Sequence, residues 1–293
     1  MTKFGDLVFA GLTSGGIYAV FALCFTVLFR TSGILNLAIG DFAMLGALGV
    51  DLLVRVEGWP IAGAIAFDLL LIGLFCWLYD WIVLRAALEG RRAQEAAIVI
   101  FFFTLALSFF IEGVSQHLFG TDVHSAPTLW AGNAIGIGSV HIQRAGILVI
   151  AVALVTGVGF ASFFKFSLNG KAMASCGENA LGARIVGVRQ PRFRRLMFVA
   201  MGLLAAVFGI IGSPITGYVY TSGATLTFLG LAAAAFAGFN RPGRAVVAGL
   251  VIGLAEAFLG GYVSSQYQDT LLYVVMVAAI LARPQLIGNP LGT

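Results

Sequence analysis

Long apolar runs recur along the whole 293-residue chain, and they restrict its fold more than any other feature of the sequence. They fall at about 7–29, 35–54, 59–84, 97–117, 144–164, 196–218, 225–239, 245–262 and 269–283. A helix needs about 20 apolar residues to cross a hydrocarbon layer of about 30 Å. Lipid offers no partner to an unpaired backbone group, so helices are the natural crossing element for runs of this length. The expected fold is therefore an all-α polytopic membrane protein with about eight to ten transmembrane helices. The seventh run, Thr225 to Phe239, is short for a crossing and is expected to be a half-helix or a re-entrant segment buried among its neighbours.

Composition closes off the soluble alternatives. The chain is 60% hydrophobic and 10% charged, against about 45–50% and about 25% for soluble domains. The spans leave no room for a separate soluble domain, so residues 1–293 are expected to form a single transmembrane domain. The first run is too long for a signal-peptide core of about 7–15 residues and is expected to persist as the first helix. A net charge of +4 raises the question of a nucleic-acid partner, but the charges cluster at span ends, which indicates topology instead. With the N-terminus outside and the C-terminus in the cytoplasm, 14 of the 17 lysines and arginines lie inside, leaving Lys3, Arg55 and Arg144 outside. Cys24 and Cys76 lie in apolar runs and Cys176 in a basic inner loop, so no disulfide framework is expected.

Two loops exceed what a connection needs. The outer one, about 119–143, alternates apolar residues at Ile135, Ile137, Val140 and Ile142, which suits a short hairpin or a segment lying on the membrane surface. The inner one, about 166–195, is basic and carries a short amphipathic helix pattern in which small residues alternate with Glu178, Asn179 and Arg184. Such a surface suits a groove on another protein.

Polar residues inside the spans are the candidates for function, since a charged side chain at mid-membrane costs at least ~2.5 kcal/mol and usually faces protein or a watery path. Asn36 and Asp41, beside Gly40, are expected to line or shape a translocation pathway. Asp68 and Glu256 read more readily as interhelical hydrogen-bonding groups. Asp51, Asp80 and Glu112 sit near span ends, where reaching headgroup water is the default. Ser222 and Thr225 stand where they could cap the short seventh helix, whose positive end could hold a substrate carboxylate or simply face the outer surface. Gly11 with Gly15, and Gly249 with Gly253, have the spacing that lets helices approach closely. His117, His124 and His141 lack metal-ligand spacing. No phosphate-binding loop or catalytic cluster is present, so the chain reads as a transport subunit rather than an enzyme.

The inner segment Asn169 to Leu196, NGKAMASCGENALGARIVGVRQPRFRRL, resembles the loop by which permeases of branched-chain amino-acid type ABC importers dock on their ATPases. The block GLTSGGIYAVFALCFTVLFRTSGILNLAIGDFAMLGA, Gly11 to Ala47, is similar to the family's first helix and the NFAHGE motif after it. The block from Ala237 to Gly288 resembles the family's ending, and all three occur in family order. Ile39 replaces the motif's His and Asp41 its Glu, so no contact made through that His is carried over. The resemblance implies a permease that pairs with a sister or identical permease, with two cytoplasmic ATPase subunits and with an extracytoplasmic binding protein. It places Gly177, Glu178, Asn179, Gly182 and Arg184 at the ATPase contact, and no cofactor on this chain, with ATP and Mg bound by the ATPases. It also implies a bacterial-type cytoplasmic membrane and a branched-chain or related hydrophobic amino acid as substrate. Relatives for urea, short amides or aromatic acids, and a self-sufficient ion-coupled carrier or channel, are the alternatives.

Overall fold

The computed structural model describes residues 2–33, 35–88, 93–130, 135–137, 140–178, 180–185, 187–239 and 241–263, with five single positions beyond them. In chain order the elements are α1 (Thr2–Ser32), α2 (Ile39–Arg55), and α3 (Ile61–Tyr79), which runs through a π-helical turn (Asp80–Leu84) into α4 (Arg85–Leu88). After α5 (Ala93–Phe119) comes a hairpin of β1 (Ile135–Ile137) and β2 (Val140–Ile142), then α6 (Arg144–Phe166), α7 (Leu168–Glu178), α8 (Ala180–Ile185), α9 (Gln190–Thr216), α10 (Ser222–Ala237) and α11 (Pro242–Tyr262). Each of the first eight apolar runs coincides with a helix, and the ninth, 269–283, lies almost wholly outside the described residues. Among the described residues six helices are long and apolar enough to cross a membrane, and this is an all-α polytopic membrane protein. Helices α2 and α10, of 17 and 16 residues, are shorter. The hairpin pairs Ile135 with Ile142 and Ile137 with Val140, as the alternation suggested.

The described chain divides into two compact units. One comprises 1–26, 128–161 and 229–293, and the other 27–127 and 162–228. In the first, the two glycine pairs meet each other: a Cβ on Gly253 would collide with the Gly15 backbone, and one on Gly249 with the Ala19 backbone. Small residues thus let α1 and α11 cross backbone to backbone, a form of packing that lipid, itself apolar, cannot replace. Val149 of α6 packs at Gly16 of α1, and Val246 of α11 at Gly157 of α6.

In the second unit α2 and α9 form the centre. Added Cβ atoms on Gly46 and Gly209 would strike the backbones of Ala206 and Ala43, so these helices also cross closely. The candidate span of α9 is 67% buried and that of α3 only 22%, which makes α9 a core helix and leaves most of α3 facing outward. Val50, Ala64, Ala126 and Ile210 close one end of this core. Pro214 interrupts the ladder of α9 near its end, where the Ser213 hydroxyl lies 3.5 Å from the Ile210 carbonyl that the proline leaves free.

Candidate functional site

The chain leaves the helical ladder between α1 and α2, so backbone groups there need partners that lipid does not supply. Side chains provide them. The Asn36 Oδ1 accepts from the Ala38 N–H at 3.0 Å, and the Leu37 N–H donates to the Thr104 hydroxyl of α5 at 3.3 Å. The Thr227 hydroxyl of α10 accepts from the Gly40 N–H at 3.0 Å and donates to the Leu37 carbonyl at 3.1 Å. One side chain thereby satisfies an acceptor inside the break and a donor in the first turn of α2.

Asp41 sits in the first turn of α2, where the helix dipole favours a negative charge. Its carboxyl presses on Gly223 in the first turn of α10, and a Cβ on either Gly223 or Gly40 would overlap the other helix. Ser108 of α5 hydrogen-bonds the carboxyl, and Glu112 lies within electrostatic reach. The second oxygen, Oδ2, is buried without a hydrogen-bond partner among the described residues. Asn36, Asp41, Thr104, Ser108 and Thr227 are all buried. The first turns of two short helices and one face of α5 thus converge on an acid that has one oxygen to spare.

Asn36 and Asp41 are buried at the start of α2, whereas Ser222 and Thr225 are not buried. The Ser222 hydroxyl accepts from the Val219 N–H at 2.9 Å, within its own turn. Thr225 is exposed, on the opposite side of α10 from Gly223 and Thr227, because residues four apart share a helical face and residues two apart do not. Gly223 and Thr227, like Thr104 and Ser108, have that four-residue spacing, which was the available signal for the site.

Beside Asn36 a cavity of about 10 Å³, room for about one water, is bounded by Ser32, Thr104 and Arg194 together with apolar side chains. Arg194 is buried there, and its Nη2 lacks a partner among the described residues. Its Nε donates to Asp80 Oδ1 at 2.8 Å, while Arg195 Nε donates to Asp80 Oδ2 at 3.0 Å. Asp80 is fully buried in the π-helical turn, so it does not reach headgroup water as expected of an acid near a span end. Two arginines from α9 supply what water would have supplied.

The family model for the branched-chain amino acid transport system permease component matches residues 7–280. The chain belongs to this family. The permease is 24% identical to the high-affinity branched-chain amino acid transport system permease protein LivH of Escherichia coli K12, over 97% of this chain and 95% of the relative. The LivH protein of Salmonella typhimurium matches to the same extent, and the corresponding protein BraD of Pseudomonas aeruginosa is 24% identical over 96% of this chain and 94% of its own length.

In the permease the inner segment forms two short helices, α7 and α8, on either side of Asn179. Asn179 itself, and the side chains of Glu178 and Arg184, lie outside the described residues. Gly177 abuts the carbonyl of Arg30 at the end of α1, where any Cβ would collide, so its missing side chain is used within the chain. Gly182 lies in α8, and Phe166, Leu168 and Ile185 are large, apolar and exposed along the same segment.

At the other end of α2 the loop 119–127 is fastened by charge. Asp51, buried near the end of α2, forms an ion pair with Arg55 at 2.7 Å and accepts a hydrogen bond from His124 Nδ1 at 2.9 Å, again without reaching headgroup water. His124 Nε2 lies 3.0 Å from the Phe119 carbonyl. Both ring nitrogens face acceptors, so the geometry calls for the doubly protonated imidazolium. The hydrogen bond to Asp51 pushes the His124 pKa up, against a smaller downward effect of burial, with further raising effects from Phe119, Asp51 and Asp122. A raised folded pKa gives a fastening fully present below the ordinary value of about 6.5 and lost as pH rises through the raised value. Amide exchange in residues 119–127, corrected for its intrinsic pH dependence, is expected to quicken between mildly acidic and alkaline pH. His124→Phe should abolish that pH dependence, and an unchanged profile in this variant would assign the effect to another group.

Proposed function

We propose that this chain is the membrane-spanning subunit of an ATP-driven importer that carries branched-chain or related hydrophobic amino acids into the cell. The observation that carries the reading is the buried polar break at Asn36 to Asp41, set in a chain that matches branched-chain amino acid permeases over nearly its whole length. Irregular backbone at membrane depth is tolerated where it is buried in protein or lines a cavity. In transporters, broken helices commonly form the substrate site. Asn36 and Asp41 belong to the translocation pathway in this proposal, with Thr227 holding the break in shape and the small cavity beside Asn36 marking a closed state of the route. The unpartnered Asp41 oxygen suits the ammonium of an amino acid. Ser222 and Thr225 would stand at the margin of the route.

The permease would work in a cytoplasmic membrane with its N-terminus outside and its C-terminus inside, paired with a second permease. It would receive substrate from an extracytoplasmic binding protein. ATP and Mg would bind two ATPase subunits that contact Gly177, Glu178, Asn179, Gly182 and Arg184. The exposed Phe166, Leu168 and Ile185 favour a protein partner for this segment, since apolar patches of that kind mark interaction sites. Gly177 would act from within, keeping α7 against the end of α1 so that force on the segment reaches the helix that leads into the break.

The test is copurification and coupling. Tagged permease is expected to retain the ATPase subunits, and Glu178→Arg to leave the permease at near-normal abundance while weakening that association or uncoupling ATP turnover from transport in vesicles. Absence of any ATPase from the unaltered complex would overturn the importer reading in favour of a self-sufficient carrier.

A further inference from the structure

A cleft of about 780 Å³ opens where α9 begins beside the end of α3. Its polar wall carries Arg189, Arg192 and Arg195, and its apolar wall is formed by Trp77, Leu196 and Val199. From Gln190 to Val199 the helix rises about 14 Å at 1.5 Å per residue, so Arg189 and Arg192 stand toward its start and Leu196 and Val199 further along it. Trp77 stacks on Trp81 at 5.9 Å, and both rings are exposed, as expected of aromatic side chains at the headgroup level. Arg195 lies over the Trp77 ring at 5.6 Å and shares the buried Asp80 with Arg194. Asp80 offsets one charge of that pair, and among the described residues no carboxylate pairs with Arg189 or Arg192. The site therefore offers concentrated positive charge beside an apolar slot.

We propose that this cleft binds an anionic phospholipid, its phosphate between Arg189, Arg192 and Arg195 and its acyl chain along Trp77, Leu196 and Val199. Charge complementarity selects the headgroup. A zwitterionic lipid offers the same chain but carries a compensating cation, so it gains less from three guanidiniums. The slot selects a lipid over a soluble anion, because an inorganic phosphate would leave Leu196 and Val199 uncovered. A lipid there would sit against the Arg195 and Asp80 contact that joins α3 to α9. The inference rests on the membrane-protein reading alone and is independent of the substrate.

The test uses the full-length permease with Trp77 as its single tryptophan (W59F, W81F, W130F), in vesicles containing brominated phosphatidylglycerol or brominated phosphatidylcholine at equal mole fraction. Quenching of Trp77 is expected to show preferential binding of phosphatidylglycerol, weakened on the order of five-fold for each of Arg189→Gln and Arg192→Gln. High salt should reduce the preference as well. Equal quenching by the two lipids would overturn the proposal, reducing Trp77 to an ordinary lipid-facing residue. If Trp77 is quenched in the isolated permease but shielded in its complex with ATPase subunits, the occupant is a protein surface and the lipid assignment fails. Native mass spectrometry of the unaltered permease supplies an independent measurement: retained phosphatidylglycerol lost on Arg189→Gln/Arg192→Gln supports the site, and indifferent retention of both lipids rejects it.

Discussion

Asp80→Ala is expected to destabilise the permease by about 3–5 kcal/mol, because it strands a buried guanidinium. Arg194 is buried and has its Nε on Asp80, with Nη2 already lacking a partner among the described residues, so no other described group takes over the charge. Arg195 is 27% exposed and can turn toward water or headgroups, so most of the penalty falls on Arg194. Thermal melting of the purified protein in detergent should show the loss directly. The double variant Asp80→Leu/Arg194→Met separates loss of the pair from creation of a lone charge. Apolar replacement of a whole buried pair is often neutral or better, so the double variant should melt near the unaltered protein. If it melts as low as Asp80→Ala, the network has a role in packing that charge does not explain.

The same network shows what the sequence could and could not disclose. Helix positions followed from hydrophobicity because each apolar run must satisfy its own backbone, a local requirement that needs no knowledge of the neighbours. The meeting of Gly11 and Gly15 with Gly249 and Gly253 was half legible, since the spacing marks a face for close approach but not its partner. Pairings across long separations were hidden. Asp80 and Arg194 lie 114 residues apart, and each alone looks like a charge placed to reach headgroups. Gly40 and Thr227 lie 187 apart, and a threonine in an apolar run gives no hint that it carries both a donor and an acceptor of a distant break. Asn36 and Asp41 could be singled out because burying an amide and an acid in lipid requires a reason. Thr225 drew attention for standing at a helix start, whereas helical geometry turns Gly223 and Thr227 toward α2 instead.

Asp41→Asn is expected to lower transport by about 10- to 100-fold, the range corresponding to the loss of one charged hydrogen bond worth about 1.5–3 kcal/mol, while the complex still assembles. The substitution keeps the shape of the side chain, so the packing against Gly223 and the contact with Ser108 survive in outline. What changes is the charge and the acceptor capacity of the oxygen that has no partner within the described chain. If that oxygen receives the ammonium of a passing amino acid, the defect should lie in transport and in ligand-stimulated ATP turnover, with melting temperature nearly unchanged. A structural acid would show the reverse pattern, lower stability with normal kinetics in whatever protein survives. Thr227→Val supplies the structural reference, since it strips partners from the Gly40 N–H and the Leu37 carbonyl and should therefore cost stability first. Initial uptake rates and melting curves on the two variants in parallel decide between these roles. Asp41→Asn tracking Thr227→Val in both measurements would return Asp41 to the scaffold of the break and remove it from the pathway.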